Sequence, residues 1–270
     1  MCNFTGSFFY MSLYPIGFFD SGVGGITLWK SIKSLLPHEN TIYLSDSKNC
    51  PYGGKSQKEI DKICLNNTKF LIEKKCKIIV VACNTATTNS ISKLRDKFKI
   101  PFIGIEPAIK PAALKTKTKK IGVLATKGTL MSNLFAETSS DYKGDVKFIN
   151  TEGLGLVELI ENGNCEADLN LLLIKYLKPM LEKGIDQLVL GCTHYPLIKK
   201  SIKKIIGDKV NIIDCNHAVA LQTKKILELN NLLNTNKKDL AQHYFFNSGD
   251  DNFTIEKVLE NEYEIFKFES

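Results

Sequence analysis

Ile16-Gly17-Phe18-Phe19-Asp20-Ser21 returns 105 residues later as Ile121-Gly122-Val123-Leu124-Ala125-Thr126. A second pair follows the same rhythm. Val80-Val81-Ala82-Cys83-Asn84-Thr85 lines up with Val189-Leu190-Gly191-Cys192-Thr193-His194, an offset of 109 residues. In each case an apolar, β-branched run stops at small or polar residues, the pattern of a buried strand delivering side chains to a turn. Two nearly equal offsets, both at strand ends, predict two related α/β lobes with a cysteine at the same topological place in each. Strand ends are where open parallel sheets bind ligands.

Working outward, short apolar strands alternate with amphipathic stretches. Strands are expected at 16–19, 41–44, 77–82 and 101–105, with helices at 25–36, 57–76 and 85–98. After a basic, Thr-rich connection at 115–120 the alternation restarts. Strands are expected at 121–125, 146–149 and 187–190, and helices at 128–139, 154–162, 168–183 and 195–206. A βαβα rhythm means parallel sheets flanked by helices. The expected organisation is a first lobe over residues 1–110, completed by 216–270, and a second lobe over 111–215.

Composition narrows the class. The chain has 270 residues, 43% hydrophobic and 24% charged, with 18 Gly and 8 Pro, which fits a globular protein and excludes collagen-like or disordered chains. The net charge of +7 comes from scattered lysines. It suits an anionic ligand without requiring nucleic acid. Apolar runs fall far short of the ~20 residues of a membrane span. The eight cysteines, at 2, 50, 64, 76, 83, 165, 192 and 215, form no C-x-x-C pair, so neither a metal site nor a redox motif is read from them. Reduced thiols in a cytoplasm are expected. Residues 1–14 have no basic residue and no signal-peptide pattern. They read as a floppy extension or an upstream start, with Met11 the natural first residue of the folded part.

Three stretches carry chemistry. Cys83 should sit where a helix opens, with Asn84 and Thr85 as caps, a setting that favours a thiolate and could hold a carboxylate. Read alone, a buried structural cysteine explains Cys83 as well. Cys192 is followed by His194, close enough in sequence to hydrogen-bond a reacting group. Asp20-Ser21-Gly22-Val23-Gly24-Gly25 is a flexible strand-to-helix turn whose N–H groups can approach an anion. It fails the dinucleotide pattern at Thr27, and Gly54-Lys55-Ser56 fails the phosphate-loop pattern at Asn49. These residues alone leave open a two-lobe binding module or a cysteine–histidine hydrolase, though the latter leaves one cysteine unexplained.

Taken together the motifs resemble the cofactor-independent aspartate/glutamate racemase family, and within it the glutamate enzymes. The resemblance rests on D-S-G-x-G-G at 20–25, P-Y-G at 51–53, A-C-N-T-A at 82–86 and G-I-E-P-A-I-K-P-A at 104–112. It continues through I-G-V-L-A-T at 121–126, G-C-T-H-Y-P-L at 191–197 and S-G-D at 248–250. It implies an active site between the two lobes and interconversion of L- and D-glutamate, supplying D-glutamate for peptidoglycan, with Cys83 and Cys192 as the two acid/bases. It implies that Asp20, Ser21, Tyr52, Gly53, Asn84, Thr85, Thr193 and His194 contact glutamate, with Asp20 and His194 also assisting the thiols. A supporting glutamate falls at Glu161, on a looser match, because Gly153 and Leu154 stand where many members carry Cys-Pro. Cys215 stands where relatives often have Ser. No cofactor and no metal are implied, the partner is a small-molecule substrate, no membrane is involved and a homodimer is left open. A sister racemase acting on aspartate or a hydantoin is the nearest rival.

Overall fold

The structure is a computed structural model describing residues 11–142, 144–163, 166–236 and 239–269. Of the proposed extension, residues 1–10 lie outside the described residues. Among the described residues, ten strands form two parallel sheets. The first sheet contains β1 (Ile16–Asp20), β2 (Thr41–Ser45), β3 (Ile78–Val81), β4 (Phe102–Gly104), β9 (His243–Asn247) and β10 (Ile265–Lys267), in the order β10-β9-β2-β1-β3-β4. The second contains β5 (Lys120–Ala125), β6 (Lys147–Glu152), β7 (Gln187–Gly191) and β8 (Asn211–Ile213), in the order β6-β5-β7-β8. The segments β2-β1-β3-β4 and β6-β5-β7-β8 therefore have one topology, which makes the lobes pseudo-symmetric. In both, the first strand is central and the chain leaves it to opposite sides, so a ligand crevice opens beyond its carboxyl end.

β1, β2, β3 and β7 are buried along their whole length, as unbroken apolar strands between helical layers should be. The last part of the chain returns to the first lobe. The helix Asn216–Leu229 packs on the helix Ile26–Leu35, and β9 pairs with β2. Trp29 fixes that return. Its ring meets Phe245 edge-on at 4.9 Å between centroids, and its Nε1 donates to Thr41 Oγ1 at 2.9 Å. Among the described residues no helix is long and apolar enough to cross a membrane.

Several local expectations are corrected. The helix expected over 128–139 is two, Lys127–Leu130 and Asn133–Ser140, because Thr126 and Ser132 each accept a bond from a backbone N–H and start a helix of their own. The helix expected over 195–206 opens as a 3₁₀ turn, Tyr195–Ile198, before Lys199–Ile206, with Pro196 supplying no N–H to the first turn. Asn84 and Thr85 are not caps. Cys83 itself occupies that position, and Asn84 Nδ2 donates to the Ile105 carbonyl at 3.2 Å.

A buried ion pair ties the first lobe together. Lys77 and Glu39, both sealed from solvent, bond to each other, and Glu39 also accepts the Asn234 N–H at 2.8 Å. Burial raises the Glu39 pKa and lowers that of Lys77. Lys77→Ala would strand the carboxylate, so chemical denaturation should show a loss of about 3–5 kcal/mol.

Candidate active site

The carboxyl ends of four strands converge: β1 ends at Asp20, β3 runs into Cys83, β5 into Thr126 and β7 into Cys192. From the first lobe, Cys83 Sγ lies 3.8 Å from Ser21 Oγ. Beside Ser21, the Asp20 carboxylate accepts the Gly25 N–H at 2.7 Å and, across the lobes, the Thr193 hydroxyl at 3.3 Å. Thr193 follows Cys192, so a continuous line of contacts runs from one thiol to the other. A reciprocal contact crosses the other way. Thr85, just after Cys83, shares a hydrogen bond of 2.8 Å with Thr126, the repeat's counterpart of Ser21. Cys83 and Cys192 are only 4% and 6% exposed.

The electrostatics differ at the two walls. Burial, then the charge of Asp20, pushes the Cys83 thiol well above its usual range, and Cys192 acts in the same direction. The two thiols therefore share one field. The Ala86 N–H at the helix opening and the Ser21 hydroxyl oppose the rise. Asp20 is raised to about 6 by burial, partly offset by the positive charge of His194. At His194 burial alone would lower the pKa. Hydrogen bonds to Cys192, Cys50 and Glu161 outweigh burial and hold it well above the ordinary value, which favours the protonated ring.

His194 Nδ1 lies 3.7 Å from Cys192 Sγ, and its Nε2 hydrogen-bonds Glu161. Glu161 Oε1 also accepts the Val23 N–H at 2.8 Å. The helix Leu156–Glu161 thus brings its last residue to the glycine-rich turn, and the loosest of the sequence matches falls inside the cluster. The turn approaches because its glycines lack side chains. A Cβ on Gly24 would stand 2.6 Å from the His194 backbone nitrogen and 2.7 Å from the Thr193 carbonyl carbon, atoms that cannot step aside. Gly24→Ala is expected to cost roughly 1–3 kcal/mol in a denaturant titration and to displace His194, with loss of activity.

Tyr52 and Gly53 arrive on a strap after the cis Cys50–Pro51 bond. The Tyr52 hydroxyl is not free for a ligand, because it donates to Asp46 at 2.6 Å and accepts from Asn67 at 3.1 Å. Gly53 lies against Thr126 of the second lobe, where a Cβ would come within 2.8 Å. Three contributors escaped the sequence reading. Cys50 Sγ lies within 4.8 Å of a His194 ring nitrogen, Thr126 meets Thr85, and Asp46 anchors both Tyr52 and, at 2.8 Å, the Ser248 hydroxyl of the S-G-D motif. Two clefts flank the strap. One of about 270 Å³ is lined by Cys50 and Glu161, and one of about 100 Å³ by Gly53 and Thr126. Neither of these two clefts is lined by Cys83 or Cys192, which stay buried.

The cluster brings together two thiols from opposing lobes, a buried carboxylate and a histidine. Known proteins resemble this chain. The family model described as Asp/Glu/hydantoin racemase matches residues 27–223. A glutamate racemase of Herpetosiphon aurantiacus is 45% identical over 221 residues, 82% of this chain and 87% of that protein. Among solved structures, a glutamate racemase isoform of Bacillus anthracis superposes with a TM-score of 0.82 at 34% identity, over 94% of this chain and 96% of that one. The glutamate racemase of Francisella tularensis in complex with D-glutamate gives 0.82 at 32% identity, over 96% and 98%.

Proposed function

The chain belongs to the Asp/Glu/hydantoin racemase family, and from that membership we propose that it is a glutamate racemase making D-glutamate for peptidoglycan in the cytoplasm. One observation carries the mechanism: each of the matched cysteines comes from a different lobe, and the two segments that carry them meet where Thr193, next to Cys192, bonds Asp20, next to the Ser21 that contacts Cys83. Inverting a stereocentre requires a proton to leave one face and another to arrive at the opposite face. Two acid/bases on facing walls do this without turning the substrate over.

For L-glutamate, the Cys192 thiolate takes the α-proton and the electron pair passes into a planar carbanion. The Cys83 thiol then donates its proton to the opposite face. The product is D-glutamate, with Cys192 now a thiol and Cys83 a thiolate, and the reverse reaction starts from that state. His194 balances charge at Cys192, and Glu161 holds the imidazolium in place. Asp20 stands between the lobes, linked to Cys83 by way of Ser21. Ser21, Asn84, Thr85 and Thr193, with the backbone of Tyr52 and Gly53 on the strap, surround the substrate. The free N–H groups opening the helix Asn84–Lys97 suit a carboxylate, and they favour the negative charge of the carbanion.

The test is direct. Protein incubated with L-glutamate in deuterated water should lose optical rotation with time and carry solvent deuterium at Cα of the D-glutamate formed. Early in the reaction the recovered L-glutamate should stay unlabelled, since separate groups serve the two faces. Rapid labelling of L-glutamate without inversion would refute the two-base scheme. L-Aspartate under the same conditions reads out the side-chain length the pocket accepts.

A further inference from the structure

Cys50, Glu161 and His194 come from three separate segments: the strap of the first lobe, the end of the helix Leu156–Glu161, and the turn after β7. Their sulfur, carboxylate oxygen and ring nitrogen all lie within 4.8 Å of one another. We propose that this cluster is a site for a thiophilic divalent cation of the zinc class, and that the cation inhibits the enzyme by clamping the lobes together and withdrawing His194 from Cys192. The inhibition rests on the racemase reading, whereas the binding does not.

The donor set selects the metal. One sulfur, one nitrogen and one oxygen form a borderline-soft set that zinc accepts and that magnesium and calcium, which prefer oxygen, do not. On a tetrahedral zinc such ligands stand roughly 3.3–3.6 Å apart, a separation reached by small side-chain shifts from the present cluster. Three protein ligands leave one position for water. The cleft of about 270 Å³ lined by Cys50 and Glu161 gives a hydrated ion a way in, and Glu158 and Asp251 place carboxylates on its wall. An acidic cleft favours a cation over a dicarboxylate.

Binding forms metal–sulfur, metal–nitrogen and metal–oxygen bonds. The Cys50 thiol proton and the proton shared by His194 and Glu161 leave to solvent. With Nε2 on the metal, His194 keeps its Nδ1 proton toward Cys192 but is held by the ion and is no longer a free imidazolium that can balance charge there. Cys50 belongs to the first lobe, and Glu161 and His194 to the second. The ion therefore bridges the two lobes.

The experiment uses full-length protein freed of metal by a chelator, with Co²⁺ as the spectroscopic probe and Zn²⁺ as competitor. One Co²⁺ per chain should bind, with a thiolate-to-cobalt charge-transfer band that Zn²⁺ abolishes, and Zn²⁺ should inhibit racemisation until chelator is added. Cys50→Ser should lose the band and weaken Zn²⁺ binding by at least the ~10–100-fold that loss of an outer-shell partner costs a metal site, and the racemisation it retains should be resistant to Zn²⁺. Cys83→Ser should keep the band. A band that survives in Cys50→Ser but vanishes in Cys83→Ser would place the cation at the catalytic thiols and overturn the proposal, as would absence of stoichiometric binding. A protein that binds Co²⁺ through Cys50 but racemises nothing would sink the functional reading and leave the metal site standing.

Discussion

Cys83→Ser and Cys192→Ser should each lower kcat for glutamate racemisation by about 10²–10⁴-fold, the contribution usual for a positioned acid/base. A serine hydroxyl fits the space of the thiol but is a far weaker acid, so it neither gives up its proton nor holds the negative charge on its wall. Because both directions pass through both walls, the loss should be equally severe from L- and from D-glutamate. The two buried side chains are replaced by a slightly smaller group, and circular dichroism should show the fold intact. A cysteine hydrolase would depend on one of these residues and tolerate replacement of the other. Near-normal turnover in either variant would therefore remove the two-thiol assignment. The double variant should be little worse than the single ones, since removing one wall already stops the relay.

Asp20→Asn should lose activity and gain stability. The Asp20 carboxyl is fully buried, and its pKa stands at about 6 rather than 3.8, with burial the main cause. A carboxyl whose folded pKa is raised favours the native state most when protonated. That contribution is complete below about pH 4 and is lost as pH rises through about 6. At neutral pH the ionised group costs about 3 kcal/mol, from a shift of roughly two units. Asparagine keeps the shape without the charge, so denaturant unfolding at pH 7 should show the variant as stable as the parent or more so. Between pH 4 and 7 the difference between the two should widen in the variant's favour. Activity should move the other way, falling by about 10²-fold or more. The parent's kcat/KM should decline on the acid side with a midpoint near pH 6, and the residual rate of Asp20→Asn should lack that decline. A variant that is both active and less stable at pH 7 would contradict this account of the carboxylate.

Strand ends carried most of the architecture and the centre of the site, because fully buried parallel strands must be continuous apolar runs and therefore announce where they stop. Asp20, Cys83, Thr126 and Cys192 all stand at such stops, and the doubled spacing revealed their relation before any coordinates. Capping was less legible. Whether Asn84 or Cys83 takes the cap depends on where β3 ends, and that is settled by pairing with β1 and β4. Ser132 divides a helix through one hydrogen bond to the Phe135 N–H, which the apolar pattern of 128–139 does not disclose. β8, three residues long and mostly half-exposed, carries too little pattern to be read as a strand. Cys50 was invisible for a different reason. Its neighbours His194 and Glu161 lie more than a hundred residues away, and only the closing of one lobe on the other brings them together.

The crossed pairing of Asp20 with Thr193 and of Thr85 with Thr126 has one further meaning. Each half of the duplicated fold lends a side chain to its sibling's chemistry, so neither half is an enzyme in miniature. A fragment ending before β5 would keep a sulfur, a carboxylate and a helix opening, yet it would have nothing to hand a proton to. Catalysis here is a property of the junction, and the duplication that built the chain also fixed the stoichiometry of that junction at one.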